Sequence, residues 1–453
     1  MILRASLLRQ LENQSLSVES RAELCCEVAR EFEDKGEYEN ARGALSGFWQ
    51  RVGERPSVEG LEQNVAAEVL LRAGVLTGAI GSKQQITDAQ EKAKDLITQS
   101  LTIFESHRYK KKISEAQTEL ALCYWRTGEI NEARDVLKEA LSHLTTDSEL
   151  KAKAILRLAI VEHAGQDEKA LRILTNHGPL FKKIQSHTLK GCYHIALGNR
   201  LENIAERKRG DYIDRALIEY AAASYHFQQS EHRYYLATVE NNLGFLLYKI
   251  NRGKEAHEHL DHARRVFASL KDVGAIAQVD ETRACVFLTQ ERVTEAERAA
   301  RASVRSLEKS GHHDLLAEAL ITHGRSLARL GNYGAAFSAF RRTINLSELT
   351  GSLNRAAEAA LAAFQEIGQH LGVLEGQKHL SGRSLNEEIR SFEHDVIKRA
   401  LESAQGSVTN AARSLGMSYQ ALAYMLETRH KELLKKRTPA RRRQRKSNKH
   451  SEC

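Results

Sequence analysis

Alanine recurs every 40 residues through the second half of this chain, at Ala216, Ala256, Ala296 and Ala336. Twelve residues before the last three sit Gly244, Ala284 and Gly324, themselves 40 apart. The same interval of twelve joins Ala29 to Ala41 and Ala121 to Ala133. Four residues past the later alanine comes an apolar residue: Leu45, Leu137, Tyr220, Leu260, Ala300 or Phe340. A fixed period of this length marks stacked supersecondary units, none of which can bury its apolar face alone. Two antiparallel helices must approach closely where they cross. Small residues at the crossing permit this, and larger ones beside it fill the remaining space.

The breakers agree. There are only three prolines in 453 residues, Pro56, Pro179 and Pro439. A chain this poor in helix breakers reads as nearly all helix. Glycine stands where first helices should stop, at Gly128, Gly165 and Gly331. The spacing places hairpin units near residues 22–50, 61–105, 114–145, 151–176, 187–230, 233–268, 273–309 and 313–349. A lone helix from Leu353 to Leu371 would close the stack. Two units fit less well. The one at 61–105 reads as having an overlong loop near Gly81, and the one at 187–230 lacks the small residue in its first helix.

Two segments carry the pattern best: Asn241-Asn-Leu-Gly-Phe-Leu-Leu-Tyr248 with Lys254 to Ala263, and Ala121 to Ala140. They resemble the tetratricopeptide repeat, whose usual period is about 34 residues; longer helices are a variant of that family. The resemblance covers roughly residues 20–372. It implies a partner-binding superhelix whose groove is lined by the first helix of each unit, with a protein or peptide as ligand. Asn241, Asn242, Phe245 and Tyr248 are the candidate groove residues. The asparagines could instead bond neighbouring helix ends, and that is the reading preferred for them.

After Leu371 the pattern changes. Residues 373–386 are rich in glycine and polar residues and read as a linker between an array at 1–372 and a small module at 387–437. Asn386 is a candidate N-cap, followed by Ile389, Phe392, Val396, Ile397 and Leu401 at helical spacing. Gly406 ends that helix. Thr409 is expected to cap a second, Gly416-Met417-Ser418 to make a tight turn, and Ser418 to cap a third helix from Tyr419 to about Leu434. A short glycine turn between two helices is the helix-turn-helix signature. Ala411 and Ala412 are small where the helices cross, and Leu415, Met417, Leu422 and Leu426 would form the core. The stretch from Gln405 to Leu422 resembles the Fis-type DNA-binding domain of NtrC-like bacterial activators. Members of that family often carry arginine after the turn serine, where this chain has Tyr419, Gln420 and Tyr424.

A helix entering the major groove presents its first residues to the base edges. Tyr419, Gln420, Ala421 and Tyr424 are therefore the candidate base readers, with Gln420 suited to adenine and Ala421 to a thymine methyl. Thr409, Asn410 and Ser418 lie at helix N-termini, where backbone N–H groups hold phosphate. Arg429, Lys431, Lys435, Lys436 and Arg437 should continue along the third helix, and Arg441, Arg442 and Arg443 lie in a basic tail at 438–453. The net charge of +8 is local: residues 429–453 carry +9 and the other 428 residues −1. A basic block on a neutral body points to a polyanion, here double-stranded DNA.

The remaining signals are exclusions. There is no G-x-x-x-x-G-K-(Ser/Thr) loop, and no nucleophile–base–acid constellation, so neither an enzyme nor a cofactor is expected. His257, His259 and His262 cluster on one helix but read as an exposed polar face, and no metal is expected. Cys25, Cys26, Cys123, Cys192, Cys285 and Cys453 form no C-x-x-C pair and read as buried thiols of a reducing compartment. The N-terminus does not read as a secretory signal. No stretch is expected to approach a membrane span, which places the protein in the cytoplasm without a membrane partner. The whole reads as an all-α bacterial transcriptional regulator, a repeat array carrying a three-helix DNA-binding domain, with a homodimer expected because helix-turn-helix readers usually pair on two half-sites. The rival is a non-enzymatic scaffold that binds nucleic acid without sequence preference through its basic end.

Overall fold

The computed structural model describes residues 16–162, 167–205, 208, 210–308, 312–350, 360, 362–363, 385–415 and 417–436. Among these residues every regular element is a helix. The chain divides into two compact units, residues 1–282 and 283–453.

The first unit stacks helical hairpins: α1 (Val18–Asp34) with α2 (Tyr38–Ala44), α3 (Gln63–Gln84) with α4 (Ala89–Ser106), and α5 (Lys110–Thr127) with α6 (Ile130–His143). Then come α7 (Glu149–Val161) with α8 (Asp167–Asn176) and the short α9 (Gly178–Lys183), α10 (His187–Ala205) with α11 (Tyr212–Gln229), and α12 (Arg233–Lys249) with α13 (Gly253–Ser269). Helix α14 (Val273–Thr289) spans the division. The second unit continues with α15 (Val293–Leu307), α16 (His313–Arg329) packed on α17 (Tyr333–Thr350), and the terminal helices.

The periodic alanines are the crossing points. Ala216, Ala256, Ala296 and Ala336 are completely buried. The backbone shows why the period is 40. Glu231, Asn251, Lys271 and Glu291 have positive φ at a spacing of twenty, and Gly331 follows forty residues after Glu291. At each, the next N–H closes a six-residue loop onto the preceding helix, as His232 does to the Phe227 carbonyl and Asn332 to that of Leu327. This left-handed stop satisfies orphan carbonyls at the helix C-terminus. Each arm is a helix plus one such turn, and two arms make the repeat.

Two expectations are corrected. Gly81 lies inside α3, which runs unbroken to Gln84, so the unit at 61–105 has only a four-residue connection. The unit at 187–230 does have its small residue. Gly198 faces Tyr220, and a Cβ there would come within 2.6 Å of the ring. The connection between α10 and α11 is longer than its counterparts, which displaces the glycine from the twelve-residue interval. Helix α3 is also long and apolar enough to cross a membrane, contrary to expectation; most of it is buried against the protein. The proposed closing helix at 353–371 lies largely outside the described residues, although Ala360 and Ala363 are buried in the second unit's core. Cys25, Cys26 and Cys123 are buried, and burial pushes the Cys123 thiol up to about 11.

An ionic chain, invisible in the sequence, links first helices in the first unit. Arg72 on α3 is buried and donates to Glu33 on α1 and Glu115 on α5, each at 2.7 Å. Glu68 pairs with Arg30 and Lys112. One hairpin further on, Glu119 holds Lys153 at 2.6 Å and Arg157 at 2.7 Å. Burial pushes the Glu119 carboxyl up, but the two cations outweigh it and hold it far below the carboxylate range. The same unit folds back on itself. The turn after α1 meets α12, with Lys35 3.7 Å from Glu231 and the His232 ring against Gly36.

Candidate nucleic-acid interface

Three helices and a 3-10 turn form the C-terminal module: α18 (Leu385–Ser403), α19 (Val408–Ser414), α20 (Tyr419–Thr428) and the 3-10 helix Lys431–Lys436. Ser418 caps α20 as expected, its hydroxyl accepting from the Ala421 N–H at 3.1 Å. The cap of α19 is Ser407, accepting from Asn410, rather than Thr409, which lies inside the helix. Helix α18 already includes Asn386, so that residue is not its N-cap. The third helix ends at Thr428, not near Leu434. The Arg429 N–H and the His430 N–H both bond the Met425 carbonyl, and the chain tightens into the 3-10 turn.

The small core follows the sequence pattern. Val396, Ile397, Leu401, Ala411, Ala412, Leu415, Leu422 and Leu426 are buried, and Met417 packs against them. The core does not stop at the module. Ala336, Phe337, Phe340 and Ile344 of α17, with Ile321 of α16, belong to the same apolar cluster. The Gly334 N–H, in the first turn of α17, bonds the Leu415 carbonyl at the end of α19 at 3.1 Å. An orphan donor at one helix N-terminus thus meets an orphan acceptor at another's C-terminus, with helix dipoles aligned favourably. A Cβ at Gly334 would lie 2.8 Å from that of Met417, so only glycine allows this approach. Arg341 of α17 and Glu393 of α18 form an ion pair. The expected linker was placed at 373–386. Residues 373–384 lie outside the described residues, Leu385 and Asn386 already belong to α18, and the module shares its core with the last hairpin.

The docking leaves the opposite side open. Thr409, Asn410, Ser418, Tyr419, Gln420, Ala421 and Tyr424 are all exposed, Tyr419 by 52% and Tyr424 by 63%. Helix α20 carries no lysine or arginine, and its one acid, Glu427, is exposed. The described cations stand around it: Arg429, Lys431 and Lys435 are exposed, as is Arg413 in the last turn of α19, which the sequence reading overlooked. Of Lys436 only the backbone is described, and Arg437, Arg441, Arg442 and Arg443 lie outside the described residues. His430, between Arg429 and Lys431, is wholly buried.

The candidate groove residues on α12 are engaged with their own unit. Asn242 donates to Asn199 of α10 at 3.0 Å, and the Tyr220 hydroxyl lies 2.8 Å from the same oxygen. Asn241 is buried. Phe245 and Tyr248 are half-buried with ring centroids 5.9 Å apart, and the Lys249 ammonium sits 4.3 Å over Phe245. The histidines of α13 are paired too: His259 lies 2.7 Å and His262 3.5 Å from Glu240 of α12.

Comparison with known proteins agrees with both halves. The profile described as bacterial regulatory protein, Fis family, matches residues 388–427, and the tetratricopeptide repeat profile matches 114–142. No curated protein matches the chain closely enough to count as a relative. Among solved structures, a Rap protein complexed with competence and sporulation factor is similar over 82% of this chain and 98% of its own, at 13% identity and a TM-score of 0.51. The apo form of RapI matches 80% of this chain and 99% of its own at 13% identity and a TM-score of 0.49. BtubC from P. vanneervenii matches 60% and 96% at 14% identity and a TM-score of 0.37. The chain is an all-α protein with a tetratricopeptide-like array and a C-terminal Fis-type helix-turn-helix module.

Proposed function

We propose that this protein is a transcriptional regulator that reads duplex DNA with α20 and takes a protein or peptide partner on its repeat array. The exposed first turns of α20, with two solvated tyrosines on the helix that buries Leu422 and Leu426, carry this reading. Tyr419, Gln420, Ala421 and Tyr424 meet base edges in the major groove, and Gln420 pairs bidentately with adenine. The N-terminal turns of α19 and α20, at Thr409, Asn410 and Ser418, hold phosphates. Arg429, Lys431, Lys435, Lys436 and Arg437, with Arg441, Arg442 and Arg443 of the tail, supply affinity that is independent of sequence. Two copies bind paired half-sites. DNA as the ligand places the protein in a bacterial cytoplasm, where it acts by binding and not by catalysis.

The Rap protein of similar fold is complexed with the competence and sporulation factor. Here the partner's contacts fall on first helices. Asn242 is already bonded to Asn199, so Phe245 and Tyr248 are the better candidates within the set that includes Asn241.

A salt-titrated binding assay of the full chain against a genome-derived duplex library tests this. Wild type should prefer a subset of duplexes. Gln420→Ala should lose that preference, by about 1–3 kcal/mol, and keep its salt-dependent affinity. Removing residues 438–453 should weaken binding to all sequences alike and flatten the salt slope. Equal affinity of wild type for every duplex would overturn the regulator reading in favour of a non-specific scaffold.

A further inference from the structure

Behind the recognition helix, the fold brings His394 to two metal-ligating groups that lie 36 and 38 residues further along the chain. His394 comes from α18, and His430 and Glu432 follow the end of α20; their ligand atoms all lie within 4.8 Å of one another. His394 Nδ1 is 2.8 Å from Glu432 Oε1, and His430 Nδ1 is 4.0 Å from the same oxygen. The His430 side chain is 1% exposed, yet its Nδ1 has no hydrogen-bond partner. Its other nitrogen, Nε2, faces Glu393 Oε2 at 3.4 Å. A carboxylate only accepts, so the proton sits on Nε2 and Nδ1 keeps a lone pair pointed at the cluster.

We infer that His394, His430 and Glu432 form a binding site for a divalent transition-metal ion of the zinc class. Metal bonds of about 2.0–2.1 Å put tetrahedral ligand atoms about 3.3 Å apart, a value that the 2.8 and 4.0 Å separations bracket. Two imidazoles and one carboxylate suit such an ion, and three protein ligands leave one coordination position for water. Glu393 behind His430 is the outer carboxylate that typically orients a metal-bound imidazole. A cation replaces the proton that His394 now shares with Glu432; that proton moves to the other ring nitrogen or to solvent.

Arg341 is itself paired with Glu393, which holds that carboxylate in place behind His430. The ion would fasten α18 to the chain two residues beyond the recognition helix. Such a site is independent of whether α20 reads particular sequences.

The test uses the full chain stripped with chelator and titrated with Co²⁺, then back-titrated with Zn²⁺. Wild type should develop the visible absorption of low-coordinate cobalt with one equivalent, bleached by zinc. His394→Gln and Glu432→Gln, both at accessible positions that spare the core, should weaken binding tenfold or more. His262→Gln, in the other histidine cluster, should leave it unchanged. A wild-type protein without the cobalt band, or a band of equal strength in His394→Gln and Glu432→Gln, would overturn the inference.

Discussion

The two units use the same hairpin in opposite electrostatic styles. In the first, α1, α3, α5 and α7 are joined by an ionic chain through Glu33, Arg72, Glu115, Glu119 and Arg157, buried among the helices. In the second, Phe337, Phe340 and Ile344 of α17 share one apolar cluster with the helix-turn-helix module. Charge pairs demand fixed partners and geometry, because a buried charge left alone is far costlier than an apolar gap. An apolar face demands only a complementary surface. The contrast teaches that the helix-turn-helix module is joined to the last hairpin chiefly by apolar packing, with the Arg341–Glu393 pair beside it.

The largest effect should come from breaking the ionic chain. Arg72→Ala leaves Glu33 and Glu115 buried without their shared cation and should destabilise the first unit by about 3–5 kcal/mol, measured by chemical denaturation. Arg72→Met, which removes the same charge but fills the space, should be no better while the two glutamates remain.

Phe340→Ala should cost about 3–5 kcal/mol in the second unit, since the ring is completely buried. The sharper readout is hydrogen exchange. The amides of α16–α17 and of α19–α20 should lose protection together. Retained protection in α20 alone would mean that the module folds independently and would break the comparison.

Acid should separate the units next. Burial raises the Glu115 carboxyl, but Arg72, Lys112 and Arg30 prevail and bring it down to about 2. Its folded pKa lies below the unfolded value, so its contribution is full above about pH 4.3 and is lost as pH falls through about 2. A loss of about 2–3 kcal/mol across that window is expected in wild type and should be absent from the pH profile of Glu115→Gln.

The smallest effects lie at the turns. Lys271 and Glu291 hold positive φ without being glycine. Lys271→Gly should stabilise by about 0.5 kcal/mol, the left-handed penalty slightly exceeding the added chain entropy. Gly334→Ala should do the reverse, costing about 1–3 kcal/mol by pushing Met417 away. Paired thermal melts would rank the two.

Much of this was legible. The alanine period, the Ser418 cap and the small Ala411–Ala412 crossing are local patterns, set within a few residues by helix geometry. Where the reading failed, the failures were also local in origin. Ser407 and Thr409 are both plausible caps, and only backbone dihedrals decide between them. Gly198 was missed because a longer connection moved it off the period.

The sequence by itself determined an all-helical repeat chain ending in a helix-turn-helix, because side-chain periodicity, breakers and caps act along the chain. Tertiary structure alone decided that Arg72 would find Glu33 and Glu115, that the Gly334 N–H would donate to the Leu415 carbonyl, and that His394 would face His430. These partners lie between 36 and 81 residues apart. Nothing in local spacing encodes such meetings; they follow from how packed helices bring distant faces together, where desolvation makes each pairing matter.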